Sequence, residues 1–204
     1  SNSVFELAFS GTDNRGINGV AYILRGTSYG DVRILTGTGP NPDLLDIYDA
    51  VDVRGASDMI GTAQGYPTML GKFPTMNGSD NVTLFRVEEM HLIAAETSLR
   101  AGNAADALSY LNNIPAIRGL GAGYYASASL ENILLERRKE FAFEGLRFHD
   151  LSRMGMDMPQ IDSFKQLNDD LTGTPPSYGS HRYAYPIALA ERNANPNMVQ
   201  NYGY

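Results

Sequence analysis

Residues 136–153 read Glu136-Arg137-Arg138-Lys139-Glu140-Phe141-Ala142-Phe143-Glu144-Gly145-Leu146-Arg147-Phe148-His149-Asp150-Leu151-Ser152-Arg153. Extended back to residue 129, the stretch places Leu130, Ile133, Leu134, Arg137, Phe141, Glu144 and Phe148 on one stripe, which predicts a single helix over about 129–154. Two charged residues then occupy the face that periodicity assigns to the core. An unpaired charge buried there would cost several kcal/mol, so both need partners. Glu140 follows Arg137 by three residues, Arg147 follows Glu144 likewise, and Glu89 and Glu96 lie seven apart on an earlier helix. With Arg86 and Asp150, these residues predict a buried ionic seam that locks helices into a closed frame.

Immediately upstream, Leu84, Phe85, Val87, Leu92, Ile93 and Leu99 predict a helix over about 83–100, closed by Gly102. Asn103 can cap a second helix, whose Ala104, Ala107, Leu108 and Leu111 face inward until Pro115 stops it. The short Ala101-Gly102-Asn103 link makes the two an antiparallel hairpin of the tetratricopeptide type, without a second copy at the period of about 34 residues.

Farther out the signals thin. Residues 4–9 read as a short strand, and residues 11–40 are glycine-rich connection. Asn41-Pro42-Asp43 announces a helix running to about Arg54, followed by a second long connection over 55–81. Asp43, Asp46, Asp49 and Asp52 repeat every three residues; on a 3.6-residue turn they spiral off a common face and read as a solvated surface rather than a calcium site. The predicted organisation is a loop-rich region 1–80 with a short strand and one helix, a helical core 81–156 and a tail 157–204, together one mainly α domain.

Composition narrows the chemistry. The chain has 204 residues, is 43% hydrophobic and 19% charged, and carries a net charge of −7, a globular profile that disfavours nucleic-acid partners. Without cysteine it has no disulfide, thiolate nucleophile or cysteine metal site. The Gly-x-Gly of Gly119-Leu120-Gly121 follows a helix and a proline rather than a strand, and so lacks the dinucleotide-binding context. Glu140 and Glu144 have a spacing that a glycosidase pair could use, but helical neighbours always do, and ion pairing is the better reading. His91, His149 and His181 show no metal-ligand pairing. No catalytic residue, metal or cofactor is therefore assigned. Of the 12 tyrosines, several lie in the glycine-rich connections, where an exposed ring can stack on a sugar face.

Four segments together resemble the SusD/RagB family of outer-membrane nutrient-binding lipoproteins. Residues 136–153 are similar to its E-R-R-x-E…E-G-x-R-x-x-D-L-x-R signature. Arg86-Val87-Glu88-Glu89-Met90-His91-Leu92-Ile93-Ala94-Ala95-Glu96 resembles its R-x-x-E-x-x-L-I-x-A-E helix, and Asp52-Val53-Arg54 its D-x-R. Tyr185-Pro186-Ile187 and residues 193–204 follow its closing Y-P-I-P…N-P-x-x-x-Q-N-x-G-Y, with departures at Ala188, Arg192 and Tyr202. The match runs in order through nearly the whole chain.

The resemblance implies a largely helical SusD-like fold, of which this chain is the C-terminal part, with further N-terminal helical repeats, a signal peptide and a lipidated cysteine outside it. It also implies a surface-exposed outer-membrane protein that captures glycans for a SusC-like TonB-dependent transporter and performs no catalysis. A peptide ligand, as for RagB-like proteins, or a scaffold role is the alternative. The shared motifs coincide with the ionic and packing positions and transfer no ligand contacts. Ligand contacts are expected in the connections 11–40, 55–80 and 119–127, where Tyr29, Tyr66 and Tyr124 are the candidates by location and chemistry.

Overall fold

A computed structural model describes residues 2–24, 34–37, 39–63, 65–75, 78–161 and 175–204. The chain gathers into two units, one of Ser1–Thr36 with Pro42–Arg147 and one of Gly37–Asn41 with Phe148–Tyr204. The loop-rich stretch to residue 80 and most of the predicted helical core thus share the first unit.

In that unit the hairpin is helical as the periodicity requires. Helix α2 (Val87–Arg100) turns through Gly102, at φ +81°, into α3 (Ala104–Ile117), where the Asn103 side chain accepts a hydrogen bond from Asp106 N. Helix α4 (Leu130–Glu140) starts on a Ser129 cap and lies across both. Leu92, Ala95, Leu111, Ile114, Tyr125, Ile133 and Phe141 form the core. Leu92, Leu111 and Ile133 are fully excluded from solvent, each contributing roughly 1.5–3 kcal/mol of apolar burial.

Tertiary context corrects the sequence reading at four places. Residues 82–86 are a strand, β4 (Val82–Arg86), paired antiparallel with β1 (Ser3–Leu7), so the helix begins at Val87; Leu84, Phe85, Val87 and Ile93 are exposed. The run Val-Thr-Leu-Phe suits a pleated strand, and β1 supplies the pairing that no local pattern reveals. Pro115 does not end α3, which runs two residues beyond it, because the missing N–H removes only the bond to the Leu111 carbonyl.

The helix expected over 42–54 is replaced by turns and a 3-10 turn at Val53–Gly55. Asp43 Oδ1 accepts from the N–H groups of Leu45 (2.7 Å) and Asp46 (3.0 Å), an Asx arrangement that satisfies those donors without a helix.

The helix expected over 129–154 breaks after Glu140 and resumes as α5 (Leu146–Arg153). At the break Phe143 (φ +64°) and Gly145 (φ +79°) adopt left-handed backbone. The Glu140 carbonyl, which a continuing helix would offer to the Glu144 N–H, instead accepts from Lys72 Nζ (2.8 Å) and Arg86 Nη2 (2.7 Å).

The long connections hold further short elements: α1 (Val20–Leu24), and the hairpin of β2 (Ile60–Ala63) and β3 (Tyr66–Met69). In the second unit, whose helix α6 (Leu189–Ala194) is short, the closing motif ties the end of the chain to residues 184–187. Gln200 donates to and accepts from the Ile187 backbone, Asn201 donates to the Tyr185 carbonyl, and Tyr204 donates to the Ala184 carbonyl. Gly203 (φ +92°) lies against the His181 ring, where a Cβ would overlap it.

Candidate functional site

The first unit is organised around a buried charge cluster at the C-terminal end of α4. Arg54, drawn in by the 3-10 turn that Asp52 caps, bonds Asp52 Oδ2 (2.8 Å), Glu136 Oε1 (2.6 Å) and Glu140 Oε2 (2.9 Å). Arg86, the last residue of β4, grips Glu140 and Glu144, and its Nη1 faces Glu88 Oε2 at 3.5 Å. Arg118, just beyond α3, reaches Glu88 (2.8 Å) and Glu140 (2.7 Å). Lys72 pairs with Glu144, and Tyr125 and Tyr48 donate to Glu136 Oε2 and the Lys139 carbonyl. Arg54, Lys72, Arg86 and Arg118 thus meet Asp52, Glu88, Glu136, Glu140 and Glu144.

Electrostatics follow from this pairing. Burial alone would raise the Glu140 carboxyl, but the Arg118 hydrogen bond and the charges of Arg86, Arg118 and Arg54 override it and bring it down to about 2. Burial also opposes the Arg54 charge, yet Asp52 and Glu136 outweigh it and hold the guanidinium above its ordinary value. For Lys72 burial wins over the Glu144 charge and pulls the ammonium down. A carboxyl held as low as that of Glu140 keeps its charge at neutral pH and has no proton to give, which removes it as a general acid.

The seam's membership differs from the expected one. Arg86, Glu140 and Glu144 are at its centre. The acid that α2 contributes is Glu88, one residue before Glu89, which is half-buried. Glu96 pairs with Arg100 at 2.9 Å, and Asp150 pairs with Arg153 in the second unit. Arg137 is buried with its guanidinium over the Phe141 ring at 5.2 Å. Glu144, expected to meet Arg147, is taken by Arg86 and Lys72, and Arg147 is half-buried near the start of α5. Arg54, Lys72, Arg118 and Glu136 were not in the predicted seam. Asp52-Val53-Arg54 and Glu136 did stand in recognisable motifs, but spacing alone gave no sign that they meet.

The expectation of a closed frame is corrected on one side. A cavity of about 490 Å³, within the range of small-ligand sites, is lined by Arg54, Lys72, Arg86, Arg118, Glu140 and Glu144. Val53, Ala56, Met59 and Phe73 add apolar wall, and Asp58, Asn81 and Thr83 add uncommitted or partly committed polar groups. Asn81 is steadied by β1 and its continuation, donating to Glu6 and accepting from Phe9 N.

The tyrosine candidates separate. Tyr66, at the start of β3, is 44% exposed. Tyr124 is half-buried: its hydroxyl donates to Asp49 Oδ2 (2.6 Å), its ring meets Tyr125 edge-on at 4.8 Å, and Lys139 Nζ sits 5.1 Å from its centre. Tyr29 lies outside the described residues. The solvated surface expected of the four aspartates is corrected at two of them, since Asp43 and Asp52 are buried: Asp43 serves its own turn with Asp46, Asp49 binds Tyr124 and Lys139, and Asp52 binds Arg54. Among the described residues no group of three or more acidic or histidine side chains is placed to hold a metal ion.

Comparison with known proteins places this architecture. The SusD family model matches residues 57–204. Starch-binding protein SusD of Bacteroides thetaiotaomicron is 30% identical over 142 residues, 70% of this chain and 24% of that protein. The crystal structure of a SusD superfamily protein from Bacteroides thetaiotaomicron superposes with a TM-score of 0.72 at 27% identity, covering 98% of this chain and 48% of the other. A laminarin binding SusD-like protein gives 0.66 at 25% identity, covering 100% and 50%. The chain therefore spans about a quarter of the curated relative and half of these structures.

Proposed function

This chain belongs to the SusD family, and on that premise we propose that it is part of a non-catalytic cell-surface protein that captures a neutral oligosaccharide and presents it to a SusC-like TonB-dependent transporter. The observation that carries the reading is the cavity whose charged wall is already spent on itself. A charged ligand would have to break buried ion pairs, at a cost of several kcal/mol each. A neutral polyhydroxylated ligand can instead hydrogen-bond Asp58 and Thr83 in the lining and lay its CH face on Val53 and Met59. Tyr66 offers an exposed ring for stacking, and Tyr124, fixed by Asp49, offers part of one. The starch-binding and laminarin-binding relatives favour a glycan as that ligand.

Among the described residues no helix is long and apolar enough to cross a membrane; in this reading a lipid anchor outside the chain attaches the protein to the outer membrane. Calorimetric titration with laminari-oligosaccharides, malto-oligosaccharides and a peptide panel tests the proposal. Saturable sugar binding, weakened by Tyr66→Ala and by Asp58→Ala, is expected, with no reducing ends released. Heat with peptides alone, or glycan cleavage, would overturn it.

A further inference from the structure

The second unit carries a row of four aromatic rings. Tyr178 meets Tyr183 edge-on with centroids 5.6 Å apart, Tyr183 meets Phe148 at 5.6 Å, and Phe148 meets Tyr185 at 6.2 Å. The two ends of the row are open to solvent: Tyr178 is 52% and Tyr185 81% exposed, while the inner pair is half-buried. Leaving two such rings in water forgoes apolar burial that a packed tail could have taken up.

The row is also held in place. Tyr183 donates its hydroxyl to the Met156 carbonyl, Tyr178 N donates to Asp157 Oδ1 (2.7 Å), and Asn201 fixes the Tyr185 carbonyl (2.6 Å). Gly155, at φ +64°, passes beside the Tyr178 ring, where a Cβ would stand 3.5 Å from it. Anchoring falls on the backbone at both ends and on the hydroxyl only at Tyr183. Among the described hydrogen bonds the hydroxyls of Tyr178 and Tyr185 have no partner, so each end presents an apolar face with a polar tip.

Resting on the glycan-binding reading above, we propose that the Tyr178–Tyr183–Phe148–Tyr185 row is a carbohydrate-stacking surface separate from the cavity of the first unit. Pyranose CH faces pack on the exposed rings of Tyr178 and Tyr185, and the two hydroxyls bond the sugar's own. Tyrosine loses little conformational freedom on binding, and these rings are already positioned, so the ordering cost that usually weakens a flexible surface is small.

The test is titration of the full chain with laminari- and malto-oligosaccharides, comparing wild type, Tyr178→Ala/Tyr185→Ala and Tyr66→Ala, alongside NMR shifts of the tyrosine ring signals. Both substituted residues of the double variant are solvent-exposed, and circular dichroism verifies that it folds. The expected results are affinity lower by at least about tenfold, or loss of one of two sugar equivalents, in the double variant, with shifts at Tyr178 and Tyr185 in the wild type. An isotherm unchanged by the double variant, with shifts confined to Tyr66 or Tyr124, overturns the row and leaves the general glycan reading standing. A wild-type chain that binds no glycan overturns both. Unchanged sugar binding together with loss of a concentration-dependent dimer in the double variant overturns the row as a sugar site and assigns it to self-contact.

Discussion

Arg86 holds Glu140 twice: one guanidinium nitrogen pairs with its carboxylate and another donates to its main-chain carbonyl at 2.7 Å. One side chain, 54 residues away in sequence, thereby neutralises a buried acid and satisfies the carbonyl at which α4 stops. The charge cluster is therefore part of the reason that the helix predicted through residue 154 ends at Glu140.

Arg54 is the member whose loss leaves most behind. Arg54→Met should destabilise the chain by about 3–5 kcal/mol, because Asp52, Glu136 and Glu140 remain buried without their shared cation. Arg100→Ala, which removes a half-exposed guanidinium from the buried Glu96 carboxylate, should cost less, about 1–2 kcal/mol, because one acid rather than three loses a partner there. Urea unfolding of the two variants is the comparison, and equal midpoints would sink the distinction.

Acid should unfold the protein through Glu140. Its folded carboxyl is depressed from an ordinary value near 4.5 to about 2, so the unfolded chain binds the proton first as pH falls. The stabilisation is fully present above about pH 4.5 and is lost progressively down to about pH 2. Glu88 adds in the same direction, its burial outweighed by the Asn2 hydrogen bond and neighbouring charge. Denaturant midpoints measured from pH 7 to 2 should fall across this window, and Glu140→Gln should flatten the fall while lowering stability at pH 7.

Phe143 combines left-handed backbone with packing against Leu24 and Phe73. Both Phe143→Ala and Phe143→Gly lose the ring, but glycine also relieves strain of about 1–2 kcal/mol, less the roughly 0.4–1 kcal/mol by which it favours the unfolded chain. The glycine variant should be the more stable by about 0.5–1 kcal/mol in thermal or urea unfolding. An alanine variant of equal or greater stability would show that the backbone there is unstrained.

Gly119 has both a left-handed φ of +91° and a neighbour, since a Cβ would stand 2.8 Å from the Val51 carbonyl oxygen. Gly121, at φ +80°, has open space around it. Gly121→Ala should cost only backbone strain of about 1–2 kcal/mol, and Gly119→Ala at least about 1 kcal/mol more. The Arg118 hold on Glu88 and Glu140 should loosen with it, which denaturant titration at pH 7 and pH 3 would register as a shallower acid response.

Near-neighbour patterns were legible from residue order. The periodicity of Leu92, Ala107, Leu111 and Ile133, the Asn103 cap and the Gly102 turn specify the hairpin and the start of α4, because each is an interaction within a few positions of chain. The same reading required that Arg137 and Glu144 find partners if buried, and named Arg86, Glu140 and Glu144 as members of one network.

What residue order could not decide is which distant charges meet. Periodicity describes one helix at a time, whereas Arg54, Lys72, Arg86 and Arg118 reach the end of α4 from a 3-10 turn, a loop, a strand and a helix terminus. Their convergence selects Glu88 over Glu89, breaks the long helix and opens a cavity beside the pairs, since buried charges of opposite sign must be brought together by the crossing of the chain, and a local repeat carries no record of that crossing.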